Sequence, residues 1–327
     1  MSIADCLRYW ALTTNQSQNS VRLILNILRA KTNCILPKST KTLLETPRSR
    51  PSSITEINGG LYWYDGIDKN ISNYFRHTYP PYQCLSLNIC IDGLPLYKSS
   101  SVQFWPNMAN IHEMSEVPPM TVAIFCGMSK PGDLESYLRP FIEELNIIKQ
   151  YGIIIKSRTF SINLRAIIAD SPARSFIKIS PLLDLQHFNM IDVTITSDPL
   201  HLIDVGVTWK LILGWRDLTM FSSEKYRQNW HLAAKVLEDF VDEFGKIYDE
   251  KYLTSNVHNL LHVYDDVENY GVLGTTSSYP FENHLQFLKK IVRGGSKQLE
   301  QPINRLIELQ QVNIRWKHKT EPFLNNF

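Results

Sequence analysis

The sequence is short of net charge, of paired cysteines and of long apolar runs, and each shortage excludes something. Its 34 Lys and Arg against 32 Asp and Glu leave a formal charge of +2. A protein that grips nucleic acid over a long stretch usually carries a stronger basic excess, so any such contact has to come from local clusters. Cys6, Cys34, Cys84, Cys90 and Cys126 are odd in number and scattered, and none forms a C-x-x-C pair. That excludes a zinc ribbon and a dithiol redox motif and suits free thiols in a reducing compartment. No apolar run approaches the ~20 residues of a bilayer span. The N-terminal MSIADCLRYWALTTNQ has an early acid and no apolar core, which is not the pattern of a secretory signal. The expected address is the nucleus or the cytoplasm, with no membrane partner. What is present, 43% hydrophobic and 20% charged residues, is the composition of an ordinary globular protein. The length suits one large domain with an insertion, or two domains.

Periodicity divides the chain. Ile3 to about Ala30 reads as two short helices, the second with its cap near Asn19-Ser20. The basic stretch from Lys31 to Ser53 reads as a linker around TPRSRPSS. CLSLNICIDG alternates with period two and predicts a strand ending at Asp92-Gly93. Val102, Phe104 and Trp105 predict its partner, stopped by Pro106, and MTVAIFCG from Met120 predicts a third strand. Asp133 is placed to cap an amphipathic helix that buries Leu134, Tyr137, Leu138, Phe141, Leu145 and Ile148 and bends at Pro140. IIIKSRT and INLRAIIADS read as two further strands, the second ending at Asp170. Helical patterns dominate from about Asp198 onward.

Two-metal phosphoryl transfer needs carboxylates gathered from distant parts of a chain, because Mg2+ prefers oxygen ligands and two ions must be held about 4 Å apart. Asp92 and Asp170 stand at predicted strand ends, and Glu282 opens a helix after Tyr279-Pro280-Phe281. On spacing alone, solvated turn acids would look the same.

Several blocks nonetheless carry a resemblance in order along nearly the whole chain. They are LRYWAL, LPKSTKTLLETPR, INGGLYWYDG, LNICIDGLPLYKSSSVQFWP, GMSKPGDLESYLRPFIEEL, IIADSPARSF, DPLHLIDVGVTWKLIL, NVHNLLHVYDDV, YPFENHLQFLKKIVR and QLEQPINRLIEL. In these the chain resembles the transposase-domain proteins related to the CACTA, Mirage and Chapaev group of DNA transposons. The resemblance implies an α/β fold of DDE type: an RNase H-like mixed sheet flanked by helices, with an α-helical insertion and C-terminal helices. It implies an N-terminal helical module and basic linker over 1–53, a core over 54–180, the insertion over 181–270 and closing helices over 271–327. Asp92, Asp170 and Glu282 match the catalytic, metal-binding acids, with Mg2+ or Mn2+ as the cofactor. Asp198 and His201 in DPLH match the aspartate-histidine signature that follows the second acid, and Arg174, just after ADSPA, reads either as supporting the acidic site or as pairing with a nearby carboxylate. The chemistry implied is phosphodiester hydrolysis and strand transfer on DNA, carried out by a dimer.

The sequence also departs from that family. Between Asp170 and Asp198 lie 27 residues without a cysteine, where family members carry a C-x-x-C zinc pair. Zinc is therefore not expected. The stretch between Trp215 and Trp230 is contracted as well, so the implied enzyme is degenerate, and the alternative is a non-catalytic DNA-binding or protein-interaction module derived from a transposase. Lys38, Lys41, Arg48 and Arg50, and again Lys289, Lys290, Arg293 and Lys297, read either as phosphate contacts or as solvated surface. His258 and His262, four apart, read as a metal pair or as packing residues, and no H-E-x-x-H accompanies them.

Overall fold

The structure, a computed structural model, describes residues 2–47, 53–169, 173, 195–197, 220–249, 253 and 255–316. Three helices open the chain: α1 (Ile3–Thr13), α2 (Gln18–Lys31) and the short α3 (Thr40–Leu44). Each begins on a serine, Ser2, Ser17 or Ser39, whose hydroxyl accepts a first-turn backbone N–H. The cap of α2 is thus Ser17 rather than Asn19-Ser20, because its hydroxyl reaches the Ser20 N–H at 3.0 Å and draws Ser20 into the first turn.

Nine strands and two helices follow: β1 (Ile54–Ile57), β2 (Gly60–Tyr64), α4 (Ile67–Tyr74), β3 (Cys84–Ile91), β4 (Leu94–Tyr97), β5 (Ser100–Ile111), β6 (Met120–Gly127), α5 (Leu134–Tyr151), β7 (Ile153–Ile155), β8 (Arg158–Ala169) and β9 (Ile195–Ser197). They form one mixed sheet in the order β1-β2-β6-β5-β3-β8. β7 and β9 pair with the two ends of β8. The pairs β3–β8 and β8–β9 are parallel and all others antiparallel.

Strands β3 and β4 lie in line along β5. β3 pairs with Asn107 to Ile111 and β4 with Ser100 to Phe104, so the two make one long hairpin with β5, interrupted at Asp92-Gly93. This explains why β5 runs through Pro106 instead of stopping there. A proline cannot donate to the ladder, and Pro106 occupies the place where β4 has ceased to pair and β3 has not begun. Its other neighbour is Ile124 on β6, and a register shift follows at Asn107/Met108. A second boundary also moves. Lys156 takes the left-handed backbone (φ 57°) and closes a tight turn, so the break falls at Lys156-Ser157 and β8 continues unbroken to Ala169. Helix α5 begins where the sequence places it, with Asp133 Oδ1 accepting the N–H groups of Glu135 and Ser136 at 3.1 and 3.3 Å, and it continues through Pro140.

The sheet separates two apolar layers. Leu85, Leu87, Ile89 and Ile91 point into the layer closed by α4 and α5 with Ile71, Tyr137, Phe141 and Leu145. Cys90, Leu94 and Leu96 point the other way, with Phe104, Ala166 and Ile168, into a layer closed by Phe281, Leu285 and Leu288 of α9 (Tyr279–Ile291) and Ile303 of α10 (Glu300–Trp316). Between β9 and α9 in sequence lies a separate helical core. It joins Trp230, Ala233 and Leu237 of α6 (Trp230–Tyr248) to Val257 of α7 (Ser255–Asn259) and to Val263 and Val267 of α8 (Val263–Tyr270). The three N-terminal helices pack on Val312 and Leu309 of α10. There the buried Glu308 accepts the Thr46 hydroxyl and pairs with Arg305 at 3.2 Å. Burial pushes the Glu308 carboxyl up, against the pull of Thr46 and Arg305.

Candidate functional site

Asp92 stands at the interruption of the long hairpin, between Cys90 and Leu94. Both of these face α9. Its Oδ1 accepts the Gly93 N–H at 2.6 Å. Gly93 lies against the Trp105 ring: a Cβ added there would meet Cζ2 at 3.1 Å, so the break in the hairpin is closely packed. Next to β3, the parallel strand β8 sets Ile168 opposite Cys90 and turns Ala166 and Ile168 to the α9 side. In the sequence Asp92 comes two residues after Cys90 and Asp170 two after Ile168. Asp170 itself lies outside the described residues, as do Arg174, Asp198, His201, Arg48 and Arg50.

Glu282 is in the first turn of α9, which has a proline among its first residues, and its N–H donates to the Ser278 carbonyl at 2.9 Å. A carboxylate there meets the positive end of the helix dipole. Its neighbours Phe281 and Leu285 are buried in the layer that contains Cys90 and Ile168. The residues flanking Asp92 in the central hairpin and those flanking Glu282 in the helix laid over it therefore share one layer.

The approach to that helix is held by Arg165 on β8. Its guanidinium donates to Asn88 Oδ1 on β3 at 3.0 Å, to the Thr275 carbonyl and hydroxyl at 3.1 and 2.9 Å, and to the Tyr270 carbonyl. The Tyr270 ring centroid lies 5.5 Å from the guanidinium carbon. One side chain thus fastens the end of α8 and the turn before α9 to the centre of the sheet. Burial lowers the Arg165 pKa, while Tyr270 and Glu113 oppose that shift. Burial likewise lowers the pKa of His112, helped by the Arg165 charge.

The basic residues divide. Lys38, Lys41, Lys289, Lys290 and Lys297 are exposed, the last with a left-handed backbone (φ 53°) after Gly294-Gly295. Arg293 is used internally, donating to the Gln16 carbonyl at 3.0 Å and to Asn15 Oδ1 at 2.8 Å, and so binds the α9–α10 turn to the α1–α2 turn. The His258 and His262 rings meet edge to face with centroids 5.5 Å apart. Among the described residues no group of three or more His, Cys, Asp or Glu side chains is arranged to hold a metal ion; the proposed acid set includes Asp170, which is not among them.

Sequence reasoning missed Arg165 and His284. A charged residue inside the otherwise apolar INLRAIIA was a usable signal for the first. His284 had none: Nε2 lies 2.7 Å from the Thr121 hydroxyl, 163 residues away along the chain. Burial lowers its pKa from 6.5 to about 4, so the imidazole is neutral at neutral pH. No family model and no curated protein matches this chain.

Proposed function

We propose that this chain derives from a DNA transposase and keeps an RNase H-like scaffold, with Asp92, Asp170 and Glu282 as the acids of a divalent-metal site. The observation that carries the reading is the strand order β6-β5-β3-β8-β9. Three antiparallel strands are followed, across α5, by two strands parallel to β3. Asp92 interrupts the central hairpin of that arrangement, and Glu282 comes from the helix that shares a layer with the residues flanking Asp92. Carboxylate oxygens are the donors that Mg2+ and Mn2+ prefer, so the donor chemistry of Asp92, Asp170 and Glu282 supports the cofactor the resemblance implies. A bound ion would supply charge stabilisation on the phosphate and a more acidic water. The chain's own part is to hold the acids rigidly: Gly93, next to Asp92, packs on the Trp105 ring, and Arg165 fixes the segment that leads into Glu282. The contraction of the insertion makes this a weakened form of the site.

The test is nicking of supercoiled DNA by the full chain with Mn2+ and with chelator. Slow Mn2+-dependent nicking is expected, lost in Asp92→Ala and in Glu282→Ala. Its absence from folded protein removes the catalytic reading. A second reading, a DNA-binding module without catalysis, is favoured by exposed Lys289, Lys290 and Lys297 around one helix end and turn. It requires salt-sensitive DNA affinity that Asp92→Ala leaves unchanged and whose logarithmic salt slope falls by about 3 when the three lysines become alanine. A chain with no DNA affinity refutes both.

A further inference from the structure

Where α4, α9 and α10 meet the start of β6, a cavity of about 300 Å³ opens beside the Thr121–His284 pair. It lies within the size range of small-molecule sites. Part of its wall is flat, formed by the rings of Tyr74 and Phe287 and the two prolines Pro118 and Pro119, and the rest of the apolar lining is Met120, Leu306 and Leu309. All of these side chains but Pro118 are half-buried, and Pro118 is exposed. No lining residue carries a charge at neutral pH, since His284 is neutral there. Asp65, the carboxylate that Asn70 and Gln310 of the lining contact, is bound by Lys69, by Asn70 Nδ2 at 3.2 Å and by Gln310 Nε2 at 3.2 Å. Asn70 is likewise occupied, donating to the Gly66 and Thr121 carbonyls at 2.6 and 3.3 Å. Asn73, one turn further along α4, differs. Its side-chain amide lines the cavity and has no hydrogen-bond partner among the described residues.

From these observations we infer that the cavity is a binding site for an uncharged, flat heteroaromatic ring bearing adjacent donor and acceptor atoms, the chemistry of a nucleobase edge. Flat apolar walls take the faces of a ring, and a carboxamide pairs two-pronged with an adjacent donor and acceptor. The absence of charge in the lining disfavours an ionised ligand, which would have to be desolvated without a counter-ion. Asn70, the Thr121 hydroxyl and Gln310 Nε2 are engaged with Asp65, His284 and one another, which leaves the Asn73 amide, with Gln310 Oε1 and His284 Nδ1 beside it, to read the ring edge. This inference does not rest on the nuclease reading.

The experiment is saturation-transfer NMR and calorimetric titration of the full chain with adenine. Indole serves as a flat ring without the paired edge, and benzoate as a charged ring. Saturable adenine binding is expected, at least tenfold tighter than indole, with none for benzoate. Asn73→Leu should weaken adenine at least tenfold and bring it level with indole. Asn73→Trp, which fills the mouth from a half-exposed position, should abolish binding of both, with circular dichroism confirming that each variant folds. Adenine binding that is absent, non-saturable or indifferent to both variants overturns the assignment, as does equal affinity for benzoate. Competition by a single-stranded oligonucleotide identifies a nucleic-acid strand as the source of the ring, and lack of competition identifies a free base or nucleoside.

Discussion

Acidification should destabilise this protein through His284. The imidazole is packed against Phe287, with ring centroids 5.7 Å apart, and hydrogen-bonded to Thr121. Burial lowers its pKa from 6.5 to about 4. A base with a lowered folded-state pKa takes up its proton first in the unfolded chain. The stability it contributes is therefore complete above pH 6.5 and is lost as pH falls through the window from 6.5 to about 4. At about 1.4 kcal/mol per pKa unit, the loss approaches ~3 kcal/mol below that window, and most of it is gone by about pH 4.5. Carboxylates titrate in the same range, so the measurement has to be a difference. Urea unfolding of the native chain and of His284→Gln, at about pH 8 and pH 4.5, isolates the imidazole, because the amide can still bond Thr121 but cannot charge. The native chain should lose roughly 2 to 3 kcal/mol more than the variant. Losses that agree within about 0.5 kcal/mol would refute the argument, as would a His284 ring resonance titrating near its ordinary value.

Arg165→Met should leave the carbonyls of Tyr270 and Thr275 and the Asn88 amide without their cationic partner, at a cost of about 3 kcal/mol. Hydrogen exchange should then quicken about a hundredfold at the backbone amides of Val263 to Thr276 and little in β3 and β5, and uniform protection would contradict the clamp. Gly60→Ala would set a Cβ 2.2 Å from the Cys126 carbonyl oxygen, a backbone atom that cannot yield. It should therefore cost about 3 kcal/mol or prevent the β2–β6 pairing. Gly93→Ala meets only the Trp105 ring, at 3.1 Å, which can shift, so about 1 kcal/mol is expected, with a change in tryptophan emission. Equal melting temperatures for these two glycine variants would show that backbone and side-chain obstacles had been wrongly distinguished.

The elements with a local cause were legible in the sequence. Period-two alternation marked β3, the blocks MTVAIFCG and INLRAIIADS were legible as β6 and most of β8, and Asp133 with its apolar stripe marked α5. Asp92 and Glu282 stood out because each sits at the edge of such a pattern. Where the cause was local but subtle, the boundary moved by a few residues, as with the Ser17 cap and the Lys156 turn. The strands β1 and β2 passed unread, being short and carrying polar residues such as Thr55 and Glu56 in an edge hairpin that keeps much of its surface.

Other features were settled only by tertiary structure. That β5 crosses Pro106 depends on β3 and β4 being aligned end to end on its far side. That Asp92 lies inside a long hairpin, rather than in a loop after a strand, follows from the same alignment. The Arg165 clamp and the Thr121–His284 pair join residues 110 and 163 positions apart. Local periodicity records which face of an element is buried. It holds no record of which distant polar group will meet that element, because the meeting depends on how whole layers pack and on which burial costs the partners then offset together.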